Sequence, residues 1–258
     1  MSEQWKKTEN PILEARGVSK FFGGLTALDA VDFQIWRGEV VALLGDNGAG
    51  KSTLIKCISG VYKPEQGEVI FSGRTITHQP PAAIRDQGIE TIYQDLALAE
   101  NLDVGANVFL GKEKKSRILG FIEVTDDDYM RKEAAKVLER LDIHIPSLKQ
   151  KLVNLSGGQR QAVAIARAMY WNAQLVIMDE PTAALGVPEQ RKVLSLIRSL
   201  KEQGIPVILI SHTMQDVMAV ADRMVIMRRG KVAANLMRAE ANEELIVKHM
   251  VGTAEATF

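Results

Sequence analysis

The stretch Gly45-Asp46-Asn47-Gly48-Ala49-Gly50-Lys51-Ser52 constrains this chain more than any other, because it fits the pattern G-x-x-x-x-G-K-[ST]. The apolar run Val40 to Leu44 before it reads as a buried strand, and Lys51 to Ser59 after it reads as a helix that stops at Gly60. Strand, glycine loop and helix in that order form a phosphate cradle. The glycines let backbone N–H groups close around phosphate oxygens, and the helix start adds orphan N–H groups at the positive end of its dipole. Lys51 is then expected to reach the β- and γ-phosphates of a nucleotide, and the Ser52 hydroxyl to ligate Mg²⁺. The plainer alternative is a glycine turn that only caps a helix.

At 258 residues the chain suffices for one large domain, or a domain with a sub-lobe. Its 32 basic and 32 acidic residues cancel, so no electrostatic footprint for nucleic acid appears. One cysteine, Cys57, excludes an internal disulfide and fits a reducing compartment. The longest apolar runs, near Val40 and Val207, fall far short of the about 20 residues that a membrane-spanning helix needs. Residues 1–10 form a polar tail without a signal-peptide core, so a soluble, cytoplasmic protein is expected.

The opening third is rich in strand patterns: Ile12 to Val18, Val31 to Ile35, Glu39 to Leu44 and Glu68 to Phe71. Arg37-Gly38 between two of these runs predicts a hairpin turn. The middle changes character. Asp126-Asp127-Asp128 supplies caps for an amphipathic helix over Tyr129 to Leu141, and the basic cluster Lys112, Lys114, Lys115 and Arg117 before it reads as a solvated loop. Beyond residue 165 strands and helices alternate: strand Leu175 to Met178, helix Pro188 to Gln203, strand Val207 to Ile210 and helix Met214 to Ala221. A hairpin around Arg229-Gly230 and a last helix from Asn242 to about Gly252 complete the chain. Apolar strands alternating with helices imply an α/β fold with a parallel sheet covered on both faces.

Two further stretches carry chemistry. Asp179-Glu180 closes the buried run Leu175 to Met178, and paired acids at the C-terminal edge of such a strand suit a Mg²⁺ and water site. Asp179 would hold the metal that Ser52 touches, and Glu180 would act as general base on the attacking water. Leu155-Ser156-Gly157-Gly158-Gln159 contains a capping box, Ser156 with Gln159, that opens the helix Gln161 to Trp171. A cap does not need two successive glycines, and two glycines at a helix start let backbone N–H groups approach an anion closely. The chain thus holds two phosphate-binding stretches and one P-loop lysine.

In this order and spacing, Gly45 to Ser52, Leu155 to Gln159 and Leu175 to Glu180 resemble the ATPase subunit of an ATP-binding cassette (ABC) transporter, over about Ile12 to Gly252. The resemblance implies one ABC ATPase domain over 11–252, with a P-loop NTPase core (about 11–95 and 166–252), a β-rich N-terminal subdomain and a helical sub-lobe (about 96–165). Tails at 1–10 and 253–258 flank it. It implies ATP and Mg²⁺ as ligands, Gly45 to Ser52 with Thr53 holding the nucleotide, and Phe22 stacking on adenine; the alternative for Phe22 is one more core aromatic beside Phe21. It makes Gln94 the glutamine that senses Mg²⁺ and water, and His212 the switch histidine on the γ-phosphate. It also implies a head-to-tail homodimer or heterodimer in which Leu155 to Gln159 of one cassette closes over ATP held by the other. The chain departs from the family where Ser-Ala-Leu-Asp is usual: it has Ala183-Ala184-Leu185-Gly186, without the aspartate that signals across the dimer.

Gly45 to Gly50, Asn107-Val108-Phe109-Leu110-Gly111 and Ala183 to Val187 resemble the ATPases of bacterial sugar importers of the ribose, xylose and fructose type. That resemblance implies membrane permease subunits and, through them, a periplasmic sugar-binding protein as partners, with this chain on the cytoplasmic face of the inner membrane. The alternatives are an amino-acid importer ATPase, a soluble cassette ATPase of translation or repair, and a regulatory cassette without turnover.

Overall fold

The computed structural model describes residues 10–118 and 121–252. They fall into two compact units. The first holds the described residues up to Thr91 together with Gln174–Glu180 and Leu200 onward; the second holds Ile92–Ala173 and Pro181–Ser199. Residues 166–173 and 181–199, placed with the catalytic core in the sequence reading, cluster with the second unit.

The first unit begins with an antiparallel hairpin, β1 (Leu13–Phe22) and β2 (Leu25–Ile35), joined at Gly23-Gly24. With β4 (Gln66–Phe71) and β5 (Arg74–Thr75) they form a four-stranded sheet in the order β2-β1-β4-β5. A second, six-stranded sheet contains β3 (Val40–Leu44), β6 (Ile89–Ile92), β9 (Leu175–Asp179), β10 (Val207–Ile210), β11 (Arg223–Arg228) and β12 (Lys231–Met237), in the order β12-β11-β3-β10-β9-β6. In it β3 lies parallel to both β10 and β11, β10 parallel to β9, and β12 returns antiparallel at the edge. Every residue of β3 is buried, as expected of a strand covered on both faces. Helices α1 (Lys51–Ile58), α2 (Pro81–Asp86), α7 (Met214–Val220) and α8 (Glu243–Val251) complete this unit. Asn242 caps α8 by accepting the Leu245 N–H, and Gly252 ends it with φ +87°.

The hairpin expected at Arg37-Gly38 does not form. The turn carries the chain from β2 in one sheet to β3 in the other, and the Gly38 N–H donates to Gly204 O at 3.0 Å. The reason lies in burial. Val31 to Ile35 alternates between buried and less buried positions, as a strand with one packed face does, whereas β3 is apolar throughout and needs neighbours on both faces. A turn signal alone does not distinguish a returning strand from one that enters another sheet. A buried ion pair stands beside this crossing: Arg223 Nε donates to Glu39 Oε1 at 2.8 Å, with side chains 5% and 0% exposed.

In the second unit, α3 (Val104–Val108), α4 (Asp127–Arg140), α5 (Gly157–Tyr170) and α6 (Val187–Glu202, to Ser199) are joined by a short hairpin, β7 (Lys115–Ile118) and β8 (Ile122–Thr125). Asp126 caps α4 through the Tyr129 N–H, so the helix starts two residues before the expected Tyr129, and Met130, Ala134 and Leu138 form its buried stripe. The expected basic loop is in part a strand: Lys115 and Arg117 lie on β7 and pair with Glu123 of β8, at 3.2 and 3.8 Å. Lys112 lies over the Trp171 ring at 4.4 Å. Fully buried Asn107 takes the Ala99 N–H on its Oδ1 (2.8 Å) and donates Nδ2 to Ala99 O and Asp103 O, which ties the segment after Gln94 onto α3.

Candidate nucleotide site

The loop between β3 and α1 holds three glycines in the left-handed region, Gly45 (φ +144°), Gly48 (+81°) and Gly50 (+107°). Gly45 is required sterically as well, since a Cβ there would stand 2.3 Å from Met227 O. Gly50 occupies the N-cap position of α1, which has no side-chain cap and no acid in its first turn. That helix start is therefore electropositive and suited to an anion. Lys51, 8% exposed, folds over the loop and donates from Nζ to Gly45 O (2.6 Å) and Asp46 O (3.0 Å). Burial lowers its pKa, while Glu180, Asp46 and Asp179 oppose that shift. Ser52 is exposed and Thr53 half-buried on the first turn of α1.

Asp179 is the last residue of β9, in register with Ile210 of β10, and its carboxyl pKa is raised by burial against the pull of Lys51 and His212. Glu180 follows in the left-handed region (φ +51°), unusual for a residue with a side chain, and its N–H donates to Ile210 O at 2.9 Å. The turn leaves the Glu180 carboxylate 17% exposed. Its Oε2 accepts the His212 N–H at 3.4 Å. Its Oε1 is buried without a hydrogen bond, with His212 Nε2 3.4 Å away. Burial raises the Glu180 pKa, and the His212 N–H partly offsets the shift. Lys51, Asp179, Glu180 and His212 thus act on one another within the first unit.

The remaining positions stand elsewhere. Phe22, at the end of β1, is 42% exposed and meets Tyr62 edge-on with ring centres 5.2 Å apart, so it is not a core aromatic. Tyr62, which also has Lys56 Nζ 5.3 Å from its ring centre, carries no motif that singles it out in the sequence. Gln94 is exposed and belongs to the second unit.

Ser156 to Gln159 opens α5 in the second unit, and the capping box is present in both directions. Ser156 Oγ accepts the Gln159 N–H (3.3 Å), and Gln159 Oε1 accepts the Ser156 N–H (3.0 Å). The Ser156 hydroxyl keeps its own proton for a further acceptor. Leu155 is buried, while Ser156 and Gly157 are exposed. The two glycines have a second reason beyond anion approach. A Cβ at Gly157 would lie 2.6 Å from Leu185 Cδ2, and one at Gly158 would lie 2.9 Å from Glu189 Cβ and Cγ. The same helix reaches the segment after Gln94: Arg167 donates to Leu96 O (3.0 Å) and Ala97 O (2.8 Å), and Arg160 pairs with Glu100 at 3.0 Å.

The profile of the family described as "ABC transporter" matches residues 28–183. The chain is 49% identical over 243 residues to the xylose/arabinose import ATP-binding protein XylG of Sulfolobus acidocaldarius, covering 94% of this chain and 95% of that protein. It is 48% identical over 226 residues to the fructose import ATP-binding protein FrcA of Rhizobium meliloti, covering 86% and 87%. Among solved structures, the ADP conformation of the ATP-binding cassette MJ1267 superposes with a TM-score of 0.79 at 29% identity, covering 94% of this chain and 96% of that one. The dimeric structure of the bacterial ABC transporter cassette MJ0796 does so at 0.72 and 27%, covering 88% and 98%.

Proposed function

The chain belongs to the ABC transporter family of ATP-binding cassettes, and from that premise we propose that it is the ATP-hydrolysing subunit of an importer for a monosaccharide. One observation carries the hydrolytic reading: Glu180 Oε1, buried at a strand end without a hydrogen-bond partner, in the same site as Lys51. Glu180 takes a proton from an attacking water as the water oxygen bonds to the γ-phosphorus and the bond from that phosphorus to the β-phosphate oxygen breaks, which releases ADP and phosphate; His212 holds the carboxylate in place and contacts the phosphate, and Lys51 exchanges loop carbonyls for phosphate oxygens.

The donor set fits Mg²⁺. Ser52 Oγ and Asp179, both in the first unit, offer hard oxygens, and a magnesium ion brought by a nucleotide needs few protein ligands. Among the described residues no group of three or more His, Cys, Asp or Glu could hold a metal unaided, which suits an ion carried largely by phosphates and water. When bound, Mg²⁺ neutralises charge on the β- and γ-phosphates.

Two phosphate-binding stretches beside one P-loop lysine are accounted for if each site is completed by a second cassette. Ser156 to Gln159 of one subunit then seals the ATP held at Gly45 to Thr53 of the other, in a homodimer or heterodimer. Gly186 offers no side chain for the usual signal between the two sites. The route to a membrane permease runs through the segment after Gln94, which Arg167 and Asn107 hold against α5 and α3. Among the described residues no helix is long and apolar enough to cross a membrane, so permease subunits would supply the pore, with a periplasmic sugar-binding protein beyond them and this chain on the cytoplasmic face. The names of the xylose/arabinose and fructose import proteins support the sugar. Deleting the gene and measuring uptake of labelled xylose, arabinose, ribose and fructose tests it: loss of one of these with amino-acid uptake intact is the expected result. The reverse pattern selects an amino-acid importer, and a purified chain that hydrolyses no ATP refutes the enzymatic reading.

A further inference from the structure

At the start of α5, Gly157 and Gly158 have Leu185 and Glu189 of the segment leading into α6 beside them. Glu189, half-buried in the first turn of α6, lays its stem on Gly158, where a Cβ would be 2.9 Å from its Cβ and Cγ. Its Oε2 lies 2.9 Å from where a Cβ of Gly186 would be. One side chain thus fills the space beside two positions that have none. α5 has no acid in its own first turn, so Glu189, with its stem on Gly158 and its carboxylate beside Gly186, brings a negative group near that helix start from another element. A phosphate arriving at the same N–H groups has the same sign of charge.

We propose that Glu189 is a positioning residue of the second phosphate site: its stem sets the packing of Gly158, and its charge raises the ATP concentration at which two subunits close, in place of a side chain at 186. The proposal rests on Ser156 to Gln159 binding the γ-phosphate held by a partner subunit. Like charges some 6–8 Å apart at an effective dielectric constant of about 20 to 40 change such a binding step by roughly six- to hundredfold.

The test uses the full chain carrying Glu180→Gln, so that ATP is not consumed, with subunit pairing followed by sedimentation against ATP concentration. Adding Glu189→Gln keeps the shape and removes the charge, and should lower the midpoint about sixfold or more, with the difference shrinking at about 0.5 M salt. Adding Glu189→Asp instead keeps the charge and should leave the midpoint within about twofold of the parent. In the otherwise wild-type chain, Glu189→Gln should lower KM and kcat together, because a tighter closed pair reopens more slowly. A midpoint unchanged or raised by Glu189→Gln overturns the proposal while the two-subunit reading stands. A Glu180→Gln parent that stays monomeric with ATP removes that reading, and the proposal with it.

Discussion

Replacing Glu180 by glutamine isolates the chemistry of the site. The substitution preserves shape, and an amide oxygen can still accept the His212 N–H that Oε2 takes at 3.4 Å. It removes the proton acceptor at Oε1, which has no other hydrogen-bond partner. A positioned general base contributes about 10²- to 10⁴-fold, so kcat should fall by that factor, equivalent to about 2.7–5.5 kcal/mol in the barrier. ATP binding should persist or tighten, since a negative charge facing the phosphates is lost. The pH dependence carries a sign. Burial raises the Glu180 pKa from 4.5, so the folded protein binds this proton more tightly than the unfolded chain does. The ionised carboxylate therefore costs stability above its folded pKa, and that cost is relieved as pH falls through it. The glutamine variant should accordingly melt at or above the wild-type temperature in mildly alkaline buffer. Phosphate release at saturating ATP, measured across pH, should fall on the acid side for the wild type as Glu180 protonates, with the midpoint above the ordinary glutamate range; the residual rate of the variant should lack that limb. A kcat within tenfold of wild type, or an unchanged acid limb, would refute Glu180 as the base.

Four other substitutions probe separate links. Lys51→Ala should weaken ATP binding about ten- to hundredfold, the worth of a charge-assisted contact of about 1.5–3 kcal/mol, and calorimetry showing unchanged affinity would remove its assigned role. Gly45→Ala forces a Cβ to 2.3 Å from Met227 O at φ +144° and should cost about 2–5 kcal/mol of unfolding free energy in urea. Arg223→Ala leaves Glu39 buried and unpaired and should cost about 3–5 kcal/mol, with ATP affinity of the folded fraction unchanged. Arg167→Ala cuts the two bonds to Leu96 and Ala97 and should lower transport per ATP consumed by roughly two- to thirtyfold while hydrolysis continues; full coupling would show that these bonds carry no signal.

Much of this was legible because it is local. The β3–loop–α1 unit, the acid pair ending β9, the Ser156–Gln159 box and the Asn242 and Gly252 caps each depend on residues a few positions apart, and each is present where the pattern placed it. The strand β6, the short helices α2 and α3 and the β7–β8 hairpin went unread, since four to six residues give too little periodicity to register.

The sequence by itself determined which groups are available to a nucleotide: a glycine loop, a lysine, two acids and a second glycine-opened helix, because these are matters of residue type and short spacing. Only the tertiary structure decided that β2 and β3 part into different sheets, that Glu180 turns through a left-handed backbone with one oxygen unpaired, and that Glu189 lies on Gly158. Those outcomes depend on which distant segments bury one another's surfaces, a choice made by the packing of the whole chain and not by any window along it.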